Sequence, residues 1–429
     1  MEQDIYDVII IGAGASGLMA AWELAQVNKK VIIIEARDRV GGRIHTLEDA
    51  GFAMPVELGA EFIHGNLELT QGLLKKAGIQ SYEVAGDIWR KEESGLDKEG
   101  DFIEDYSMLA RKFKELKEDI SVSDFLDNYL NEPKHEELRT SLKTYVEGYY
   151  AADALRASTF AMRDELQKAD EEQYRVEGGY KKLLNFMVAE LEKKGCRMLY
   201  SSPARQVNWQ GDPVEVDTEK GVLQGKKVII TVPLGVLQSS QLAFTPVIPD
   251  KIKAARALGF GAVVKITLQF SHPFWKQKEY TGDKDLSKAE FIFSEEEVPT
   301  WWSQYPKEAP VLVGWLAGPN ADRLKDLSEE DILQKALTSL GHIFTVEPDQ
   351  LKNLLNRYRI SNWANDPYCL GGYSYEVVGG AEQKQKLKEP LDGKLFFAGE
   401  ALFDGIEGGT VEAALVNGRD TAHQVIAAS

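Results

Sequence analysis

Three glycines, a glutamate and a lysine carry the first chemistry that can be read from the chain. Gly12, Gly14 and Gly17 stand in G-x-G-x-x-G spacing, between the β-branched run IYDVIII and the helix-forming run LMAAWELAQ. In such a turn the first glycine permits the tight bend. The second lets the backbone approach a pyrophosphate, and the third lets helix and strand pack closely. The helix that follows offers unpaired N–H groups and the positive end of its dipole to phosphate. Glu35 closes the next apolar strand, KVIIIEA. It lies about 20 residues past the turn, where an acidic side chain takes ribose hydroxyls. These features together predict a dinucleotide site, and the negative charge of Glu35 argues against a 2′-phosphate and so against NADP. Gly41, Gly42 and Arg43, in EARDRVGGRIHT, would add a second close turn with a cation beside it. The fingerprint by itself leaves FAD and NAD open.

Lys265 is the second point of interest. It interrupts the strand-like run GAVVKITLQF. Strict alternation puts Val263, Lys265, Thr267 and Gln269 on one face, and Val264, Ile266, Leu268 and Phe270 on the other. That pattern alone describes a half-exposed strand with the lysine in water.

The elements that must hold these residues alternate along the chain. Strand, glycine turn, helix and strand at the N-terminus make one βαβ unit. From about 81 to 175 the texture turns charged and amphipathic, and predicts an inserted helical region in which SVSD supplies N-cap residues. A helix over 179–195 ends at a glycine, and KKVIITVP at 226–233 reads as a strand stopped by Pro233. A second mixed segment spans roughly 256–365, and the C-terminal stretch from GKLFFAGE onward reads strand, loop, helix. At 429 residues two domains are expected, since single cores stop growing near about 250–300 residues. The alternating texture makes them intertwined: 1–80, 176–255 and 366–429 form the nucleotide-binding domain, and 81–175 with 256–365 the other. The fold class is α/β.

The 50 basic and 68 acidic residues give a net charge of −18, a poor balance for nucleic acid, which needs clustered Lys and Arg. The two cysteines, Cys196 and Cys369, have no zinc or redox spacing and fit a reducing compartment. No apolar run nears the roughly 20 residues that cross a bilayer, and the N-terminus lacks a basic leader. The expected location is cytoplasmic, without a membrane partner.

Seven ordered motifs give the chain a family resemblance: GAGASGLMAAWEL, EARDRVGGR, VELGAEFIHG, TVPLGVL, GAVVKITLQF, WANDPYCLGGY and FFAGE…GIEGGTVEAAL. Together they resemble the flavin-dependent amine oxidases, the group of monoamine and polyamine oxidases, and lean towards the polyamine side. The resemblance implies an FAD-binding Rossmann-type domain intertwined with a substrate domain, a mixed β-sheet flanked by helices. It implies oxidation of a C–N bond in a primary or secondary amine to an imine, with O2 reduced to H2O2. By the same resemblance Gly12, Gly14, Gly17 and Glu35 grip the adenosine diphosphate, and Arg43 contacts phosphate or ribityl. Val207 meets the adenine through its backbone, Glu400 holds the ribityl chain, and Thr410 and Val411 start the helix facing the flavin's pyrimidine end.

Catalytic candidates implied in this way are Lys265, as the holder of a water against flavin N5, together with Tyr373 and His64. Substrate-side candidates are Trp363, Ile406 in place of a second cage tyrosine, and Asp153, with Glu147 as a further carboxylate for a cationic amine. Gly372 stands where monoamine oxidases carry the flavin-linking cysteine, so noncovalent FAD is expected. The partners are a small-molecule amine and O2, with a homodimer left open. A dehydrogenase using another acceptor, or a noncatalytic flavoprotein, are the alternative readings.

Overall fold

The computed structural model describes residues 5–99, 106–166, 172–405 and 408–428. Strand Ile5–Ile11 sits inside a sheet, parallel to Val31–Ile34 on one side and Gly221–Ile230 on the other. Both faces of a parallel sheet are covered in this class of fold, which is why these strands are almost unbroken Val and Ile. The order across the sheet is Arg197–Leu199, Val31–Ile34, Ile5–Ile11, Gly221–Ile230, Val214–Thr218, Ala204–Asn208 and Ala243–Thr245. Gly221–Ile230 is shared: its first half pairs antiparallel with Val214–Thr218, and its last residues pair in parallel with Leu395–Phe397.

Alternate side chains of the strands feed two separate cores. Val8, Ile10, Val31 and Ile33 pack with helices Ala15–Gln26, Lys181–Lys193 and Val411–Ala427. Ile9, Ile11, Ile32 and Ile34 pack with Leu234, Leu237, Ala254 and Leu387 on the opposite face.

The second sheet runs Leu355–Asn362, Val263–Phe270, Val311–Ala317, Thr300–Ser303, Ala289–Phe293, Asp87–Glu92 and Gly95–Glu99. Val264, Ile266, Leu268 and Phe270 bury one of its faces against Ile332, Leu333, Ala336, Leu337 and Leu340 of helix Glu329–Phe344. The strand Val263–Phe270 is buried along all 8 residues, so the half-exposed strand that alternation predicts is not what forms. Its polar face is covered too: Gln269 bonds to Ala53 N and Gly51 O, and Val263 and Lys265 look into a cavity.

The helical insert has its own core, built by Leu109, Phe113, Phe125, Leu126, Leu138, Leu142 and Met162. Ser121 caps helix Val122–Tyr129 by accepting from Asp124 N, as the SVSD motif predicts. The insert begins later than its texture suggests. Ser81–Val84, Asp87–Glu92 and Gly95–Glu99 are strands, the last two forming a hairpin at the edge of the second sheet. Edge strands carry charged residues that discourage further pairing, and that charge masks their period. Among the described residues no helix is long and apolar enough to cross a membrane, and no cluster of potential metal ligands forms.

Candidate active site

A cavity of about 990 Å³ runs from the N-terminal glycine turn to the polar face of the second sheet. That is near the upper end of small-molecule sites, about 300–1,000 Å³, and leaves room for a dinucleotide with a small substrate.

At its first end Gly12 takes φ +110°, a value that favours glycine, and Gly17 lies so close to the strand that a Cβ would stand 2.0 Å from Gly12 O. Gly14 is different: a Cβ there would meet nothing nearer than Gly41 O at 4.0 Å, so the turn is open on the cavity side. Gly41 and Gly42 form the second close turn, with Gly41 N donating to Ala13 O at 2.8 Å. Glu35 is buried and lines the cavity, accepting from Ala13 N at 2.8 Å and Arg37 N at 2.9 Å. Burial raises its pKa, opposed by those backbone hydrogen bonds.

Helix Ala15–Gln26 starts at this end with no side-chain cap, and the buried Ser16 hydroxyl in its first turn has no hydrogen-bond partner among the described residues. An open glycine turn, an uncapped helix start and an unpartnered buried hydroxyl on one wall suit a pyrophosphate. Pro203, Ala204 and Arg205 line the outer part of this end. Val207, expected there, does not. It is fully buried in the first sheet, where its backbone pairs with Val216 and Phe244, two residues deeper than the cavity edge.

At mid-length Arg43 donates to Glu400 Oε1 and to Gly372 O, both at 2.7 Å. Ser374 also donates its hydroxyl to Glu400. The predicted cation and carboxylate are therefore held together on the cavity wall. Helix Val411–Ala427 points its start at the same region, capped by Thr410 Oγ1, which accepts from Ala413 N at 3.1 Å. Glu412, one residue on, turns away and caps helix Glu68–Ala77, accepting from Leu69 N, Thr70 N and the Thr70 hydroxyl.

The far end is aromatic. Tyr373 stacks on Trp315 with centroids 6.3 Å apart and planes at 17°. Backbone carbonyls of one π-helical turn, Tyr145–Tyr149, hold both rings: the Tyr373 hydroxyl donates to Tyr149 O, and Trp315 Nε1 donates to Gly148 O at 2.9 Å. Such turns recur at functional sites because they free carbonyls from the helical ladder. Trp302 tilts against Trp315 at 5.8 Å and meets Phe62 edge-on at 5.6 Å. Trp363 lies between cavity and core, its Nε1 donating to Leu58 O at 2.9 Å. His64 lines this end, its Nδ1 3.3 Å from the Tyr149 hydroxyl. Removal from water lowers its pKa to about 4, so the ring is neutral at physiological pH.

Lys265 is on this wall and only 1% exposed. Its Nζ donates to Glu61 Oε2 at 2.6 Å and Gly59 O at 3.0 Å. Glu61 was not foreseen from its motif, VELGAEFIHG, and neither were Trp302, Trp315 and Tyr149, which come from segments with texture but no motif.

Asp153 and Glu147, expected as substrate contacts, are not among the cavity-lining residues. Asp153 closes a turn instead, accepting from Leu155 N at 2.9 Å. Glu147 belongs to the π-helical turn but is not among the cavity-lining residues. Ile406 lies outside the described residues. The carboxylate that the helical insert does bring to the cavity is Glu165. Cys369 is buried behind the wall, beside Arg37, and does not itself line the cavity, whereas Gly372 does.

The comparisons with known proteins agree with this geometry. The profile of the Amino_oxidase family, flavin containing amine oxidoreductase, matches residues 15–426. The chain belongs to this family. It is an amine oxidoreductase, and its cofactor is FAD, held noncovalently. Polyamine oxidase 3 of Oryza sativa subsp. japonica is 30% identical over 92% of this chain and 84% of its own length. Lysine-specific histone demethylase 2 of Homo sapiens is 28% identical over 92% of this chain and 50% of its own length. A putrescine oxidase structure bound to putrescine has the same fold, with a TM-score of 0.80 at 21% identity, covering 99% of this chain and 100% of that one.

Proposed function

We propose that this amine oxidoreductase acts on a polyamine or a related alkylamine, primary or secondary, and passes the electrons to O2, giving an imine and H2O2; water then hydrolyses the imine. The observation that carries the reading is a single cavity. One end is a dinucleotide cradle, and the other brings a buried lysine, a neutral histidine and stacked aromatic faces together.

The bound flavin supplies the two-electron acceptor. The protein's part is to place the amine and keep it dry. Loss of hydride from the α-carbon needs the nitrogen lone pair to close the C=N bond, so the amine must react unprotonated. A neutral His64 gives that nitrogen a hydrogen-bond partner without adding a repelling charge. The faces of Tyr373 and Trp315 attract positive charge as the imine forms. Lys265 supplies an N–H to a water on the cavity wall. Glu165, near the Tyr149 and Tyr150 hydroxyls, is the group suited to a second, distal ammonium.

The strands of the first sheet come from segments assigned to the FAD unit, 1–80, 176–255 and 366–429, and those of the second from 81–175 and 256–365. Both cysteines are free, in keeping with a cytoplasmic protein.

The test is a peroxide assay on the yellow holoprotein across spermine, spermidine, putrescine, N-acetylated polyamines and arylalkylamines. Peroxide from at least one alkylamine is expected. Bleaching of the flavin by amines without peroxide would instead indicate a dehydrogenase, and a flavin that no amine bleaches a binding protein.

A further inference from the structure

Lys265 does not stand alone on its wall. Glu61, which it meets at 2.6 Å, is itself buried. The other oxygen of Glu61 accepts from Trp302 Nε1 at 3.1 Å and lies 2.9 Å from Arg175 Nε. The Arg175 Nε–H is not aimed along that line, so this second contact is Coulombic rather than a directed hydrogen bond. Arg175, 3% exposed, is not part of the cavity surface. It is pinned from behind, donating to Tyr305 O and Ser303 O, each at 3.1 Å, with its guanidinium over the Phe62 ring.

The cluster therefore joins four strands. Glu61 leads into strand Phe62–His64, whose partner strand Gln173–Val176 places Arg175 opposite Phe62. Trp302 comes from Thr300–Ser303, and Lys265 from Val263–Phe270.

We propose that Glu61, anchored by Arg175 and Trp302, is the positioning residue for Lys265: it fixes the ammonium on the cavity wall with one N–H left to point at a cavity water. The proposal rests on the reading of Lys265 as a catalytic residue. An ammonium has three donors, and Gly59 O and Glu61 take two. A flexible four-carbon stem without those anchors would sample several rotamers, and placement to within a fraction of an ångström would be lost. The pairing also assigns a role. A lysine held by a buried carboxylate at 2.6 Å and by Gly59 O at 3.0 Å is placed as a fixed hydrogen-bond donor on the wall.

Charge counting makes the arrangement testable without turnover. Two cations share one carboxylate. Lys265→Met leaves Glu61 still paired with Arg175, whereas Glu61→Gln takes from both cations their contacting carboxylate and leaves only the more distant Glu57 and Glu290, and a buried charge that loses its partner is strongly destabilising. Lys265→Met added to Glu61→Gln removes one stranded cation and should restore stability.

The experiment compares wild type, Lys265→Met, Glu61→Gln and the double variant, all as holoproteins, by thermal unfolding and by kcat and KM with the best amine of the panel. In unfolding, Glu61→Gln should fall well below wild type, Lys265→Met should stay close to it, and the double variant should melt above Glu61→Gln. In turnover, Lys265→Met and Glu61→Gln should each lose about 100-fold in kcat, with KM little changed. The double variant should be no slower than Lys265→Met to within about twofold. If Glu61→Gln does not fold, Glu61→Asp, whose carboxylate is withdrawn by one methylene, replaces it and should show the same lack of additivity against Lys265→Met. Rate losses that multiply, or a double variant that melts below both singles, overturn the positioning role while Lys265 stays catalytic. A Lys265→Met protein with wild-type kcat overturns the catalytic reading of Lys265 itself, and the proposal with it.

Discussion

Gly14 and Gly17 look alike in the motif, yet the structure predicts opposite consequences for a single added methyl. Gly14 has φ −74° and ψ 178°, open to any residue, and its Cβ would find Gly41 O no nearer than 4.0 Å. Alanine there costs the fold nothing, and it restricts the unfolded chain, so apo Gly14→Ala should be as stable as wild type or up to about 1 kcal/mol more stable. The methyl would occupy the open side of the turn, where the pyrophosphate must approach. FAD affinity should fall at least tenfold, about 1.4 kcal/mol.

Gly17→Ala meets the reverse situation. Its Cβ would lie 2.0 Å from Gly12 O and 3.1 Å from both Gly12 C and Thr231 Oγ1. The nearest two are backbone atoms, so no rotamer change relieves the clash and helix Ala15–Gln26 must lift off its strand. That helix buries Leu18, Met19, Ala20, Ala21 and Leu24. The cost should reach the upper end of overpacking, about 3 kcal/mol or more. Urea unfolding of the apoproteins followed by tryptophan fluorescence measures the first quantity, and titration with FAD the second. The reasoning is refuted if apo Gly14→Ala loses more than about 1 kcal/mol, if it binds FAD like wild type, or if Gly17→Ala unfolds with the wild-type midpoint.

Three further outcomes are expected. Burial raises the Glu57 carboxyl to about 7, above the 4.5 of an unperturbed glutamate, despite hydrogen bonds from Tyr180 N and the Thr46 hydroxyl. The folded state keeps the proton longer than the unfolded one, so this group lowers stability as pH rises from 4.5 to 7. Glu57→Gln should lack that fall and gain roughly 3 kcal/mol on wild type across the window, read by urea unfolding at several pH values. Tyr373→Phe keeps the stack on Trp315 and loses the bond to Tyr149 O. Steady-state kcat/KM should drop by up to about tenfold, the worth of one hydrogen bond, and Tyr373→Ala should lose more. Glu165→Gln should raise KM for a diamine about tenfold while leaving a monoamine of the same length nearly unchanged, which a parallel peroxide assay on the two substrates resolves.

The sequence by itself determined the cofactor end of the protein, and the reason is that phosphate recognition is local. The tight turn, the close approach and the helix start all fall within residues 11–17, and Glu35 ends the neighbouring strand, so spacing along the chain is nearly spacing in space. Even there the motif does not mark which residue meets the cavity: Val207 does not line it, while Ala204 and Arg205, earlier in the same strand, do. The substrate end was decided by tertiary structure. Lys265 stands out in its strand, but alternation put it in solvent. Only the packing of the segment carrying Leu58, Gly59, Glu61 and Phe62 over that face, beside Trp302 and Trp315 of the same sheet, turned the polar side of the strand into a wall. Glu61, Arg175 and Lys265 are separated by 204 residues at the widest, and nothing local marks their meeting. Asp153 and Glu147 had the right chemistry on the right insert and point elsewhere, while Glu165, with no distinguishing pattern, faces the cavity. A charge on a helix can serve solvent, a cap or a ligand equally well. Which of these it serves depends on what packs against that face, and that is fixed by contacts between distant parts of the chain.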